Sequence, residues 1–211
     1  MAKKWNSETS ENFRFTAKFP RSITHERRLE NIQKDLDEFF NVLQPLKQKI
    51  SALLIQLPPS FSFDEAKPRL EKLIEYLPKD YLFSIEGRHK SWFTDEALKF
   101  LSEHNLCLVW NEVYQIQNPA PLTSNYLYLR LIGDRTIPES DFGKVVRNQD
   151  SLLKKWAQKV KNVQDKVNLV MIVVNNRFEG FSPATANSLR TIFGLSEVSW
   201  HQRKQRKLGE F

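Results

Sequence analysis

The chain has 211 residues, of which 40% are hydrophobic and 12% aromatic, a composition that can build a core and excludes a disordered protein. Its net charge of +7 is concentrated at the ends, because residues 1–28 carry seven bases and three acids, residues 201–211 carry four and one, and the remainder carries 21 of each. The single cysteine, Cys107, excludes an internal disulfide, and with no apolar run of roughly 18 residues the sequence predicts a cytoplasmic protein without a membrane span.

Extended apolar runs alternate with helical stretches from Phe13 onward. The predicted strands are Phe13–Phe19, Ala52–Leu57, Leu82–Glu86, Leu106–Trp110, Tyr126–Ile132 and Leu169–Asn175. The predicted helices are Glu26–Lys49, Asp64–Leu77, Thr94–His104, Asp150–Val163 and Pro183–Phe193, with candidate N-caps at Asp64, Thr94, Asp150 and Ser182. We expect a loop over residues 111–125.

Alternating strands and helices predict an α/β fold with a parallel sheet. Strands such as Leu169–Asn175 are apolar almost throughout, as expected of parallel strands that are covered on both faces. A doubly wound sheet and a barrel both fit this pattern, although no glycine-rich, phosphate-binding turn follows any strand. We divide the chain into a barrel-type domain over residues 1–195 and a basic tail over residues 196–211.

Polar residues close the predicted strands, where a parallel barrel would bring them to one rim. They are Lys18, Gln56, Glu86 with Arg88, Asn111, Arg130, and Asn175 with Asn176. Barrel enzymes place their chemistry at this rim, so these side chains are candidates for binding a substrate.

The segment from Glu86 to Trp92 is the densest group of candidate residues. Glu86 and Arg88 share one face of a strand and could orient a polar substrate, while Glu86 and His89 are acid/base candidates and Trp92 a binding candidate. The alternative is a structural ion pair of Glu86 and Arg88, with His89 capping a loop.

Five further residues at or just after strand ends are candidates for substrate binding. Lys18 and His25 could hold an anionic group, unless His25 is a surface residue beside a helix cap. Gln56 could bind through its amide or satisfy a backbone group. Asn175 and Asn176 could bind ligand oxygens or form a turn.

No metal site and no cofactor motif is predicted, because the four histidines are scattered and no Cys-x-x-Cys or His-x-x-x-His spacing occurs. We expect Cys107, between leucines in a strand, to pack in the core. The chain ends in a Gln-x-x-Leu-x-x-Phe peptide formed by Gln205, Leu208 and Phe211. This peptide resembles the motif that docks replication and repair proteins on the sliding clamp; a solvated tail is the alternative.

Several strings together resemble the YecE-like family, known as domain of unknown function 72. They are Phe13-Arg14-Phe15-Thr16-Ala17-Lys18-Phe19-Pro20, Ile23-Thr24-His25, Gln56-Leu57-Pro58-Pro59-Ser60-Phe61, Glu86-Gly87-Arg88-His89 with Ser91-Trp92, Tyr128-Leu129-Arg130-Leu131 with Gly133, and Asn175-Asn176 before Gly180, Ala184, Asn187 and Leu189. The resemblance implies a TIM-type (β/α)8 barrel and no particular reaction.

The chain departs from the family at two places. Ile132 stands where many members have a histidine, and the family's first two strands have no counterpart, so that we expect an incomplete barrel with six of the eight strands. Either the assigned start is too late, which we favour, or a separate polypeptide completes the barrel.

The leading functional hypothesis is a TIM-barrel protein, an enzyme of unknown reaction, that binds a small polar or anionic substrate at the rim. The alternatives are a DNA-maintenance factor that docks on a sliding clamp, and a non-catalytic fragment. A fold does not by itself specify the reaction.

Overall fold

The computed structural model describes residues 1–112 and 118–199 as an α/β fold. The helices are α1 (Ala2–Glu8), α2 (Gln33–Leu43), α3 (Phe63–Tyr76), α4 (Asp95–Glu103), α5 (Asp150–Lys161), α6 (Asn176–Glu179) and α7 (Ser182–Ile192). The strands are β1 (Phe15–Lys18), β2 (Ile50–Gln56), β3 (Phe83–Glu86), β4 (Cys107–Leu108), β5 (Trp110–Glu112), β6 (Tyr126–Leu131) and β7 (Leu169–Val174).

The strands form two sheets whose strand order follows the chain. The first sheet has the order β1-β2-β3-β4 and is parallel, and the second has the order β5-β6-β7. The predicted α/β fold with parallel strands is confirmed. In the described part of the chain the sheets do not close into a barrel. The TIM-type barrel therefore stays a prediction.

The chain divides into two compact units. The first unit contains Met1–Arg130 and Lys166–Ile172, and the second contains Leu131–Asp165 and the residues from Val173 on. The first sheet lies entirely in the first unit, together with the polar residues that close β1, β2 and β3.

The two faces of the first sheet differ in polarity because successive side chains of a strand point to opposite sides. Leu53, Ile55, Phe83 and Ile85 lie on one face and pack in the hydrophobic core with residues of α2, α3 and α4. Residues in the alternate positions of β3, which are Ser84 and Glu86, lie on the other face. The polar face is therefore the one on which a site can form.

Two predicted strands differ from the observed ones. The predicted strand Leu106–Trp110 is divided at Val109 into β4 and β5, which belong to different sheets. The strand predicted at Leu169–Asn175 was expected to be covered on both faces, but in β7 only Met171 is buried, and Leu169 is 37% exposed. This prediction was wrong, because among the described residues nothing covers both faces of β7 completely.

The predicted helix Glu26–Lys49 is replaced by three shorter elements. A π-helical turn spans Ser22–Glu26, α2 begins only at Gln33, and a 3-10 helix follows over Gln44–Lys49. The intervening segment cannot be helical because Arg28, Leu29 and Asn31 have φ values of 48°, 67° and 51°, in the left-handed region. Apolar spacing alone does not reveal such backbone conformations.

The helix caps follow the prediction at one position. Thr94 caps α4, and its side chain accepts a hydrogen bond from Ala97 N. Asp64, Asp150 and Ser182 lie inside the first turns of their helices instead, so these cap predictions were wrong; the actual N-caps are Ser62, Gln149 and Phe181. Helix α6 was not predicted.

Part of the predicted loop over residues 111–125 is extended, because β5 continues to Glu112, and residues 118–125 contain no helix or strand. Gln205, Leu208 and Phe211 lie outside the described residues, and the docking peptide stays a prediction. Within the described ranges, no helix has the length and hydrophobicity to cross a membrane.

Cys107 is buried in the first unit, as predicted, and burial raises the pKa of its thiol to about 11. The reactive thiolate is therefore scarce in the folded protein. We expect negligible reaction with a thiol-disulfide reagent at about pH 8 in native protein and complete reaction in urea. Rapid stoichiometric labelling of the native protein would contradict the buried position.

Candidate functional site

Glu86 is a fully buried carboxylate at the end of β3, with an exposed fraction of 0%. It lies opposite Gln56, the last residue of β2, in the parallel register. A carboxylate without contact to water requires charged or hydrogen-bonding partners, because an unpaired buried charge is very costly. Both partners of Glu86 are arginines.

Arg88 binds one oxygen of this carboxylate. Its Nε lies 2.7 Å and its Nη2 2.6 Å from Oε1 of Glu86. The two residues are separated by one position, which places them on the same side of an extended chain. Arg88 thus uses the Nε and Nη2 edge of its guanidinium group, and Nη1 is the nitrogen that does not contact Glu86.

Arg130, on β6, binds the other oxygen. Its Nη1 contacts Oε2 of Glu86 and lies 3.4 Å from Oε1 of Gln56. The Nε of Arg130 is buried and has no hydrogen-bond partner, and no described residue bonds to Nη2. The side-on edge of this guanidinium, formed by Nε and Nη2, therefore has no hydrogen-bond partner among the described residues.

Lys18 adds a positive charge to this region, and His25 is the imidazole on which that charge acts. Lys18 is the exposed last residue of β1, and His25 lies on the turn that follows. Partial burial lowers the pKa of His25, and the charges of Arg21, Lys18 and Arg88 lower it further. We call the group of Lys18, Gln56, Glu86, Arg88 and Arg130 the anion edge.

Trp92 and His89 have structural contacts in the first unit. Trp92 is 0% exposed, and its indole N–H donates to the carbonyl of Phe61 at 2.9 Å. A Cβ at Gly87 would lie 2.2 Å from the Trp92 ring, so this close approach requires glycine. His89 caps a 3-10 turn, since its Nδ1 accepts from Ser91 N at 3.3 Å. These contacts match the structural alternative considered from the sequence.

The polar face carries two further residues, Tyr126 and Tyr128, to which the sequence analysis gave no role in the site. Tyr128 is 2% exposed and donates its hydroxyl proton to Oγ1 of Thr16, on β1, at 3.1 Å. Tyr126 donates to the carbonyl of Phe83. Both tyrosines lie at alternate positions before Arg130 on β6, so strand alternation was the signal that could have found them.

Asn175 and Asn176 lie in the second unit and are used locally. Oδ1 of Asn175 accepts from Arg177 N at 2.9 Å, and Oδ1 of Asn176 accepts from Ser182 N at 2.8 Å. Both carboxamide oxygens therefore stabilise the turns around α6. The binding role of Asn175 and Asn176 stays a prediction, and it now concerns their Nδ2 donors.

The acidic, histidine and cysteine side chains of the described residues do not cluster as metal ligands would. Within residues 1–112 and 118–199, no group of three or more such side chains could hold a metal ion. The anion edge offers mainly hydrogen-bond donors, because its one lysine and two arginines outnumber its one carboxylate.

The fold and this edge define a class: an α/β protein of parallel strands with cationic side chains at strand ends. The chain belongs to the family described as "Protein of unknown function DUF72", whose model matches residues 1–208. The resemblance seen in the sequence motifs is thus confirmed.

Comparison with individual proteins supports the same family. The chain is 32% identical over 90 residues to the UPF0759 protein YecE of Escherichia coli K12, a match that covers 43% of this chain and 33% of that protein. The chain thus spans about a third of the length of the curated relative it matches.

Crystal structures of two DUF72 family proteins share the fold. The protein of Thermotoga maritima gives a TM-score of 0.78 at 25% identity, covering 90% of this chain and 77% of that one. The protein of Enterococcus faecalis gives a TM-score of 0.78 at 20% identity, covering 97% of this chain and 83% of that one.

We expect the Glu86→Gln substitution to destabilise the protein by about 3–5 kcal/mol, because it leaves the guanidinium groups of Arg88 and Arg130 close together without their carboxylate. Urea unfolding measures this change in the free energy of unfolding. The control is Glu96→Gln, which removes an exposed ion pair with Lys67 and should cost under about 1 kcal/mol. Equal losses in the two variants would contradict the role of Glu86.

Proposed function

We propose that this protein binds a small anionic ligand at the anion edge, where the open side of Arg130 anchors the ligand. The fold does not specify a reaction, and the proposal concerns the ligand class. The ligand is a small molecule because the donors belong to a few side chains, of which Arg88 and Arg130 meet at one carboxylate, that of Glu86.

The observation that carries the proposal is the unpartnered Nε of Arg130. A buried donor without a partner costs about 1–3 kcal/mol, so such donors are normally satisfied. Here the same guanidinium is fixed by Glu86 through Nη1, which leaves Nε and Nη2 as a fork. A fork of this kind matches the two oxygens of a carboxylate or phosphate group.

The charge of the anion edge supports the same ligand class. Lys18, Arg88 and Arg130 are cations, and Glu86 is the carboxylate among them. A surplus of two positive charges remains after Glu86 is compensated. Because the arginine side chains are partly buried, with exposed fractions of 24% and 18%, screening by salt is weaker there than at a surface.

The geometry favours a positioning role for Glu86 over proton transfer, because its two oxygens are occupied by guanidinium groups. Nε2 of His89 is the better candidate for acid/base chemistry, since Nδ1 is engaged by Ser91. The wider proposals are a TIM-type barrel as the family architecture, supported by the parallel order of β1 to β4, and a cytoplasmic location.

The Arg130→Lys substitution tests the proposal, because lysine keeps the charge but has no planar fork. We expect the wild type to bind sulfate in isothermal titration calorimetry at low ionic strength. The variant should bind sulfate at least about tenfold more weakly, since charge-assisted hydrogen bonds are lost.

The matched control is Arg147→Lys, in the second unit, where Nη1 of Arg147 pairs with Asp134 at 3.0 Å. Its sulfate affinity should equal that of the wild type. The proposal is wrong if the wild type shows no binding up to about 10 mM sulfate, where even a millimolar Kd is detected, or if Arg130→Lys binds as the wild type does.

A further inference from the structure

The orientation of His25 is fixed by its neighbour Thr24. Nδ1 of His25 lies 2.8 Å from Oγ1 of Thr24, which is buried and donates to the carbonyl of Pro20 at 3.2 Å. A hydroxyl group has one proton to donate. We therefore assign the Nδ1 proton to His25, which donates it to Thr24. The lone pair on Nε2 is left open, and no described residue bonds to this atom.

Cations act on His25 from three elements. Arg21 and the opposing carboxylate of Glu26 belong to its own turn, Lys18 comes from β1, and Arg88 follows β3. Arg21 pairs with Glu26 at 3.8 Å and Arg88 pairs with Glu86 at 2.6 Å, so Lys18 is the one of these three cations that has no ion-pair partner among the described residues. Partial burial comes first among the causes that lower the pKa of His25, followed by these charges. Burial and these charges together favour the neutral imidazole.

We propose that binding of a doubly charged oxyanion at the anion edge is coupled to the uptake of one proton by Nε2 of His25. The proton makes this nitrogen a further donor toward the ligand. His25 thereby makes the site selective for a dianion over a monoanion. This inference rests on the proposed function, because it requires an anion beside Lys18 and Arg88.

The coupling follows from charge balance. A bound dianion offsets the two surplus positive charges of the anion edge, and this change opposes the repulsion by Lys18 and Arg88, which lowers the pKa of His25 in addition to the larger effect of burial. The protonated imidazole is then favoured in the complex more than in the free protein. By linkage, the extra affinity is complete at low pH and is lost as pH rises through the pKa of His25 in the complex.

Sulfate is the probe for this coupling, because it remains a dianion across the range in which histidine titrates. We expect the sulfate affinity of the wild type to fall at least about fivefold between about pH 5.5 and about pH 8.5. Calorimetry in two buffers with different ionisation enthalpies should also show net proton uptake on binding near neutral pH.

The test variant is His25→Asn, whose amide nitrogen can replace Nδ1 as donor to Thr24 but cannot take up a proton. Its sulfate affinity should be independent of pH, and its thermal unfolding verifies that it is folded. The matched control is His104→Asn, at the end of α4, where the imidazole contacts the ring of Phe100 at 4.6 Å. This control should keep the wild-type pH dependence.

The outcomes separate this inference from the proposed function. If the wild type binds sulfate and Arg130→Lys does not, but the pH dependence is absent or persists in His25→Asn, the inference is wrong and the anion site stands. If the wild type does not bind sulfate at any pH in this range, both are wrong. A pH dependence that disappears in His25→Asn alone supports both.

Discussion

The compensation of the buried Glu86 carboxylate is the constraint on which the anion edge depends. Water cannot reach this group, so its charge must be balanced by protein side chains. Arg88 and Arg130 supply the balance, each with one side of its guanidinium group, and their remaining nitrogens are fixed as a consequence. The carboxylate thus determines which donors a ligand can meet.

Much of the fold follows from the sequence because buried strands are apolar in short runs that helical segments separate. The prediction fails where the backbone conformation depends on tertiary contacts. The left-handed residue Arg28 is held by Glu65, whose Oε2 lies 2.6 Å from its Nη2, and by the carbonyl of Ser60. The pattern of apolar residues contains no information about these contacts of Arg28, so α2 was predicted to begin too early.

The candidate site could be predicted as a set of residue types but not as an arrangement. Lys18, Gln56, Glu86 and Arg130 were found because polar residues at the ends of parallel strands lie at one edge. Which nitrogens of Arg130 stay unpaired depends on contacts between β6 and residues 44 or more positions away along the chain. Trp92 shows another limit of prediction from the sequence. A tryptophan next to candidate site residues can equally belong to the core, and Trp92 is fully buried.

The central claim is that the buried Nε–H of Arg130, which has no partner among the described residues, donates a hydrogen bond to a bound oxyanion. The most direct measurement is the 1H–15N spectrum of the arginine Nε–H groups during a titration with sulfate, with Arg130→Lys identifying the resonance. The account predicts that this resonance shifts and that its exchange with water slows as sulfate binds. An unchanged Arg130 resonance at sulfate concentrations that saturate the protein would contradict the claim.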